Sequence, residues 1–334
     1  MRILVTGPTY QNQPQSVVRA LIRQGHDVQL YSMADFYMGA RYWQKKIYKL
    51  GYHDVKHSYE ECIARELQEI CRMFRPDFVL VLNGLMISAP SLRVLQEYDK
   101  ALWMWDSFHR APRLKEIFPC FRRVYTFEKQ DADELKDRYD VEASWLPLGY
   151  DDTIFYPKEV MKNIDISFIG IPTPRRLRIL DRIAEYAEQE NRAMLIGGPW
   201  YSTEHFWKKH SFKRKHPALM RYVYNQIFSP EEAADIYRRS RICLNVIVEG
   251  HGAYNPRMLE IAATGSKQIL IGADGESAGR VANLICVEEE QAIRVVSEIL
   301  QSRERKATET KQVEKSATIY QQVKHILEEY EDGE

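Results

Sequence analysis

The sequence predicts an α/β protein made of two Rossmann-like, doubly wound halves that face a central cleft, with one further helix at the C-terminal end. Three observations carry this. Short apolar runs of strand length alternate with helix-like segments almost throughout. The alternation breaks into polar, Pro-containing sequence around Gly149–Asn163 and then restarts. The 334 residues are long for a single core and comfortable for two. The domains expected are therefore residues 1–155, 156–310 and a terminal helix in 311–334.

In the first half, Arg2–Gly7, Asp27–Ser32, Asp77–Asn83, Ala101–Asp106, Arg123–Glu128 and Glu142–Leu148 read as strands. Gln15–Gln24, Ser58–Phe74, Ser91–Tyr98 and Lys129–Tyr139 read as the helices between them. Continuous apolar runs such as Phe78-Val79-Leu80-Val81-Leu82 suit parallel strands covered on both faces, and strand–helix alternation implies right-handed crossovers. In the second half the strands are Asp165–Gly170, Ala193–Gly198, Arg241–Val246, Lys267–Gly272 and Asn283–Val287. Its helices are Arg175–Gln189, Glu231–Arg239 and a short run after Asn255, and Lys311–Glu331 reads as a charged amphipathic terminal helix.

Composition excludes several classes. Hydrophobic residues make up 45% and charged residues 28%, the profile of an ordinary globular chain. Lys+Arg and Asp+Glu are both 47, so no net field draws in nucleic acid, and any basic site must be local. The apolar runs are strand-sized, too short to cross a membrane as helices, and the first residues read as a strand rather than a signal peptide. The five cysteines form no C-x-x-C pair, which argues against a structural zinc site and suits a reducing, cytoplasmic setting.

The most informative stretch is Gly250–Gly265, G-H-G-A-Y-N-P-R-M-L-E-I-A-A-T-G. A Gly-rich loop containing Tyr254 runs into Asn255-Pro256, a cap and first-turn pair that should start a helix. The free N–H groups and positive dipole end of that helix would make an anion site, with Arg257 beside it. Glu260 sits among Met258, Leu259, Ile261, Ala262 and Ala263, where a carboxylate is costly unless it is bonded to something. A ribose diol beside a bound diphosphate is a suitable partner. The plainer reading is a surface cap with Arg257 and Glu260 paired three residues apart.

Four other clusters follow predicted strands. In F-I-G-I-P-T-P-R-R, Gly170 ends a strand and Arg175 and Arg176 open the next helix, a geometry that offers amides and a guanidinium to phosphate. The absence of G-x-G-x-x-G and of a Walker Lys-Ser/Thr disfavours a dinucleotide site or an ATPase. In L-I-G-G-P-W-Y, Gly198 permits close approach, and Trp200 or Tyr201 is placed to stack on a base. In L-W-M-W-D-S-F-H-R, Asp106 closes an apolar strand with His109 a turn later, and either is a candidate to deprotonate an acceptor hydroxyl. Residues 205–216 mix cations with aromatics, which suits a weak peripheral membrane contact better than nucleic acid in a neutral chain. Each has a plainer counterpart: turns, solvated arginines, a hinge, a cap with an exposed His, and a solvated or mobile charged loop.

Taken together, these residues resemble a nucleotide-sugar glycosyltransferase of GT-B architecture, and more narrowly the CgeB-like (spore maturation protein) family. The resemblance spans most of the chain. It rests on the strand ending at Asp106, on V-Y-T-F-E-K-Q-D, on W-L-P-L-G-Y-D-D-T-I-F-Y-P, on D-I-S-F-I-G followed by Arg176, and above all on Y-N-P-R-M-L-E-I-A-A-T-G. It implies that Glu260 holds the donor ribose hydroxyls, that Asn255, Arg257 and Arg176 lie beside the donor diphosphate, and that Asp106 faces the acceptor. It also implies no catalytic metal and no cofactor. Many retaining enzymes of this architecture carry a second Glu eight positions before the first; here that position is Gly252, with Glu249 out of register. Lys267-Gln268 also replaces residues that are often apolar.

The function expected is transfer of a sugar from a nucleoside-diphosphate sugar to an acceptor hydroxyl. The sequence does not fix the acceptor, which is open between a glycan, a lipid-linked sugar and a protein. The C-terminal domain would bind the donor through Gly170, Arg175, Arg176, Gly198, Tyr201, Tyr254, Asn255, Arg257 and Glu260. The N-terminal domain would hold the acceptor, with Asp106 or His109 as base. Two rivals share the residues: a sugar-nucleotide epimerase, and a sugar-nucleotide-binding scaffold without catalysis, for which Gly252 is the best support.

Overall fold

The structure is a computed structural model, which describes residues 1–8, 13–32, 53–84, 87–110, 112–247, 255–272, 281, 283–302 and 317–332. The chain forms two units, Met1–Leu148 with Ile319–Glu334, and Gly149–Thr318. The terminal helix thus belongs with the first unit and is not a separate segment. The stretch Gly149–Phe155, which the sequence reading placed before the boundary, belongs with the second unit.

In the first unit, the strands β1 (Arg2–Gly7), β2 (Asp27–Ser32), β3 (Phe78–Leu82), β4 (Lys100–Trp103), β5 (Arg123–Thr126) and β6 (Ala143–Trp145) form one sheet in the order β2-β1-β3-β4-β5-β6. Every pairing is parallel. The helices are α1 (Gln13–Arg23), α2 (His53–Phe74), α3 (Ala89–Val94) and α4 (Lys129–Tyr139). Alternate strand residues separate the faces. Leu4, Val79, Val81, Leu102 and Val124 pack into one core with Leu67 of α2 and Leu135 of α4. Phe78, at the start of β3, instead meets Tyr330 of the terminal helix at 4.7 Å between ring centres.

In the second unit, β7 (Ile164–Ile169), β8 (Met194–Gly197), β9 (Val223–Tyr224), β10 (Ser240–Val246), β11 (Gln268–Ile271) and β12 (Leu284–Val287) run in the order β12-β11-β10-β7-β8-β9. All of these pairings are parallel too. Counted within the unit this is the Rossmann order 3-2-1-4-5-6, whose topological switch point lies between β7 and β10. The helices are α5 (Pro174–Gln189), α6 (Phe206–Lys215), α7 (Pro217–Met220), α8 (Pro230–Arg239), α9 (Pro256–Ala263) and α10 (Ala292–Gln301). Phe168, Leu244, Val246 and Ile271 join Ile179 and Ile183 of α5 and Val296 of α10 on one face. Cys243 turns the other way, toward Tyr237 of α8 and Leu259 of α9. The helix α11 (Ile319–Glu331) closes the chain.

Two helices of the second unit, α5 and α8, begin with a side-chain cap followed by Pro. The Thr173 hydroxyl accepts from the Arg176 amide at 3.2 Å, and Ser229 and Glu232 form a reciprocal capping box. Helix α9 ends where Gly265 takes φ +76, a left-handed exit that Gly adopts without a Cβ penalty. Residues 206–215, to which the sequence reading gave no secondary structure, are helical. One element departs from that reading: β4 ends at Trp103, so Asp106 lies beyond the strand rather than at its end.

Candidate functional site

The second unit gathers charge at the carboxyl ends of β7 and β10, beside the switch point of its sheet. Arg176, in the first turn of α5, is buried. Its Nε and Nη2 donate to the Val246 carbonyl at 3.2 and 3.1 Å, and its Nη1 donates to the Ile171 carbonyl at 3.0 Å. The guanidinium therefore bridges the ends of the two strands that flank the switch point. Its partners are carbonyls, which orient the cation without neutralising it. Burial and the neighbouring Arg257 cation pull its pKa down to about 10.

Arg257 opens α9. The guanidinium carbons of Arg176 and Arg257 stand 5.4 and 5.9 Å from the centre of the Phe168 ring. Phe168, fully buried in β7, is thus a shared cation–π platform. Burial pushes up the pKa of the buried Tyr237 phenol, and the Arg257 charge works against that rise. Glu260, one turn further along α9, is half-buried. Burial drives its carboxyl above the usual range, and Arg257 offsets part of that rise. The surface Arg257–Glu260 ion pair of the plainer reading is not among the ion pairs of the described residues, although the two interact through space.

Asn255 occupies the N-cap position of α9 with extended φ and ψ, but its side chain makes no cap bond. Its Oδ1 accepts instead from Asn245 Nδ2 at 3.2 Å. The helix starts where the sequence reading places it, at Asn255-Pro256, but the Asn255 side chain is not the acceptor for its amide end. Asn245 itself is buried at the end of β10, and its Oδ1 has no hydrogen-bond partner. Gln268, the polar departure noted after Gly265, is buried and holds α9 in place by donating to the Met258 carbonyl at 2.8 Å.

Gly170 and Gly198 lie at the ends of the adjacent strands β7 and β8. A Cβ on Gly198, whose φ is +129, would stand 2.2 Å from the Gly170 carbonyl oxygen, so the two backbones touch. Arg175 takes a different environment from Arg176. It lies against Gly272, where an added Cβ would fall 2.1 Å from its Nη2, and it pairs with Glu289 at 3.7 Å. Arg178 also donates to Glu289, at 2.9 and 3.2 Å. Arg175 therefore shares one carboxylate with Arg178.

The aromatic turn after β8 is corrected. Trp200 is buried, donates from Nε1 to the Gly197 carbonyl at 3.1 Å and packs edge-on against Phe168 at 5.9 Å, so it has no face for a base. Tyr201 packs tilted on Phe212 at 5.5 Å, and its backbone is clamped by the Asn225 amide, with both bonds at 2.9 Å. Tyr254, Gly252 and Glu249 lie outside the described residues.

In the first unit, Asp106 Oδ1 accepts from the Ser107 amide at 3.2 Å. His109 stacks on Phe108 at 4.2 Å and turns its Nε2 to Glu134 at 3.1 Å and to Asp131 at 3.8 Å. His109 is thus engaged by carboxylates of α4. Among the described residues no group of His, Cys, Asp and Glu is arranged to hold a metal ion, and no helix is long and apolar enough to cross a membrane.

Phe168, Tyr237 and Asn245 escaped the sequence reading. Phe168 and Asn245 lie inside apolar strand runs, and their one visible signal was position, one or two residues before a strand ends.

Residues 175–324 match the model of a family described as glycosyl transferase-like. A search of the curated proteins finds no match by sequence. Similar solved structures include sucrose-phosphate synthase from Thermosynechococcus elongatus (TM-score 0.66, 11% identity, 100% of both chains covered). HepE of Anabaena, solved with UDP-glucose, is similar with TM-score 0.66 at 10% identity, over 99% of this chain and 100% of that one. UDP-GlcNAc 2-epimerase from Methanocaldococcus jannaschii is similar with TM-score 0.59 at 10% identity, over 98% of this chain and 99% of that one. The fold is GT-B, two Rossmann-like units in one chain. The family match and this fold support a sugar-nucleotide-related function of glycosyltransferase type.

Proposed function

We propose that the protein transfers a sugar from a nucleoside-diphosphate sugar to an acceptor hydroxyl. One observation carries this reading: Arg176 and Arg257 share the Phe168 ring at the sheet's switch point, beside the amide end of α9 and the half-buried Glu260. Two cations held this close repel each other, and a diphosphate relieves that repulsion. In this reading Arg257 and the α9 dipole take the charge of the departing diphosphate, and Arg176 braces the ends of the strands. Glu260 accepts the ribose hydroxyls, which repay the cost of its ionisation. Gly170 and Gly198 let the donor approach backbone closely. Asp106 serves as base on the acceptor side, and His109 stays with Glu134 as a neighbouring support.

With these cations in place the reading needs no catalytic metal, and turnover unaffected by a chelator is expected. The test is a thermal-shift screen of UDP, GDP, CDP and TDP and their sugars, followed by release of the diphosphate across an acceptor panel. Wild-type binding by Glu260→Ala would reject the donor site. Asp106→Asn is expected to keep diphosphate binding and lose turnover, with a smaller loss for His109→Gln.

The epimerase of the same fold supports a second reading, in which a sugar nucleotide is rearranged without an acceptor. Incubation with donor alone separates the two. An altered sugar nucleotide means epimerisation, and intact donor that is consumed when acceptor is added means transfer.

A further inference from the structure

Helix α6 is a surface feature of the second unit that the donor site leaves unexplained. It has a single buried residue, Phe212, which packs on Tyr201. At its C-terminal end His216 ties the helix to α5 through Asp181 at 2.9 Å. The helix is therefore held along one edge. At 100° per residue, Phe206, Trp207, His210, Lys213 and Arg214 point to the half-circle turned away from Phe212.

That outward half is unusual in two respects. Phe206 is 82% exposed and Trp207 is 54% exposed, adjacent at the start of the helix. They sit edge to face at 5.4 Å, and the His205 ring stacks on Trp207 at 4.4 Å, so the aromatics form one small cluster. Of the helix's five cations, Lys213 and Arg214 lie on that half and Lys208, Lys209 and Lys215 flank Phe212 on the other, and the helix has no acidic residue. All five are exposed, and none forms an ion pair with a described residue. The chain as a whole is neutral, so this charge is a local concentration and not a share of a general excess.

We infer that α6 is a docking surface for an anionic bilayer. Exposed Trp and Phe insert shallowly at the headgroup level, and flanking Lys and Arg lay their stems over apolar surface while their heads reach lipid phosphates. Charge complementarity selects the occupant: five exposed cations without an acidic partner among the described residues, one of them (Lys209) over the Tyr201 ring at 5.9 Å, call for a dense anionic plane, which acidic lipids provide. Nucleic acid fits less well. One face of the Trp207 ring is covered by His205, and the aromatics cluster at one end instead of interleaving with the cations along a groove. This inference is independent of the proposed transferase activity, since none of its residues belongs to the donor site.

The experiment is vesicle flotation of the full chain. Phosphatidylcholine vesicles are compared with vesicles in which about one third of the lipid is phosphatidylglycerol. Binding is expected to the anionic vesicles alone and is expected to fall away in about 0.5 M salt. The variant Lys208→Gln/Lys213→Gln/Lys215→Gln is expected to bind about a hundredfold more weakly. Phe206→Ser/Trp207→Ser is expected to bind about tenfold more weakly or worse. Both variants alter exposed side chains, so their melting temperatures should match wild type and confirm folding. No binding to anionic vesicles overturns the inference. So does equal binding to both vesicle types, wild-type binding by both variants, or preferential capture by single-stranded nucleic acid that displaces the vesicles.

Discussion

Arg176 and Arg257 point their guanidinium groups at one ring, that of Phe168, from 5.4 and 5.9 Å. Each cation raises the cost of the other, and burial adds to that cost for Arg176. A site in this condition gains from any multivalent anion that reaches it. Pyrophosphate alone is therefore expected to raise the melting temperature of the chain. Arg257→Ala is expected to weaken nucleoside-diphosphate binding by roughly ten- to a hundredfold, the scale of a charge-assisted hydrogen bond. Its effect on the unliganded protein is expected to be small, because the relief of Arg176 is set against the loss of the charge that offsets Glu260. Titration calorimetry with UDP and GDP, alongside thermal melts without ligand, checks both halves. The Arg176→Met change is less clean, since it strips Val246 and Ile171 of their donor.

Glu260 is expected to trade stability for binding. Its carboxyl titrates above the ordinary range because burial opposes the charge. A group whose folded pKa is raised stabilises the fold below its unfolded pKa of about 4.3, and that contribution is lost as pH rises through the folded value. Ionising Glu260 is thus a burden to the unliganded protein. Glu260→Gln should keep or raise the melting temperature at pH 7 and flatten the fall in stability above pH 5, while nucleoside-diphosphate affinity drops. A glutamine variant less stable than wild type at pH 7 would show that the carboxylate has a protein partner and serves the fold.

Gly198 is expected to be intolerant of any side chain. Its φ of +129 already disfavours other residues, and a Cβ would meet the Gly170 carbonyl at 2.2 Å. Neither backbone can yield, since each belongs to the end of a strand in the same sheet. Gly198→Ala should therefore cost about 3 kcal/mol. Chemical denaturation measures it. The loss should be larger than for Gly25→Ala, where φ is also positive, at +86, but nothing lies within 4 Å of the added carbon.

The fold was legible because it is written in periodicity. Runs such as Phe78–Leu82 suit strands covered on both faces, and the Asn255-Pro256 pair marks a helix start by local chemistry. The site was legible only where a residue broke the local pattern. Glu260 stood out as an acid in an apolar helix and Arg176 as a cation just after a strand. Phe168 did not, because an aromatic in a buried strand is what packing alone requires. The choice between Arg175 and Arg176 was also hidden. It depends on Glu289, 114 residues after Arg175 in sequence, which claims the first and leaves the second to the strand ends. Trp200 misled for a similar reason, since exposure of a turn aromatic is decided by what packs over it.

The terminal helix supplies a pH dependence of opposite sign. Glu329 of α11 accepts from the Tyr125 phenol at 2.7 Å and pairs with Arg123 at 2.8 Å. Burial works against its charge, yet these two donors hold its pKa below the usual carboxylate range. A depressed pKa contributes stability above the unfolded value of about 4.3, and that stability is lost as pH falls through the folded value. Wild type should accordingly lose stability on acidification below about pH 5 more steeply than Glu329→Gln, whose amide does not titrate. At pH 7 the substitution should cost about 1 kcal/mol, a figure kept small because Arg123 is a third exposed and its charge is partly screened. Tyr125→Phe should cost less, since Glu329 keeps Arg123. Melting curves of the three proteins between pH 3 and 8 distinguish these outcomes. Identical acid profiles for wild type and Glu329→Gln would show that α11 is held on the first unit by its apolar face, through Val323, Ile326 and Tyr330, and not by this carboxylate.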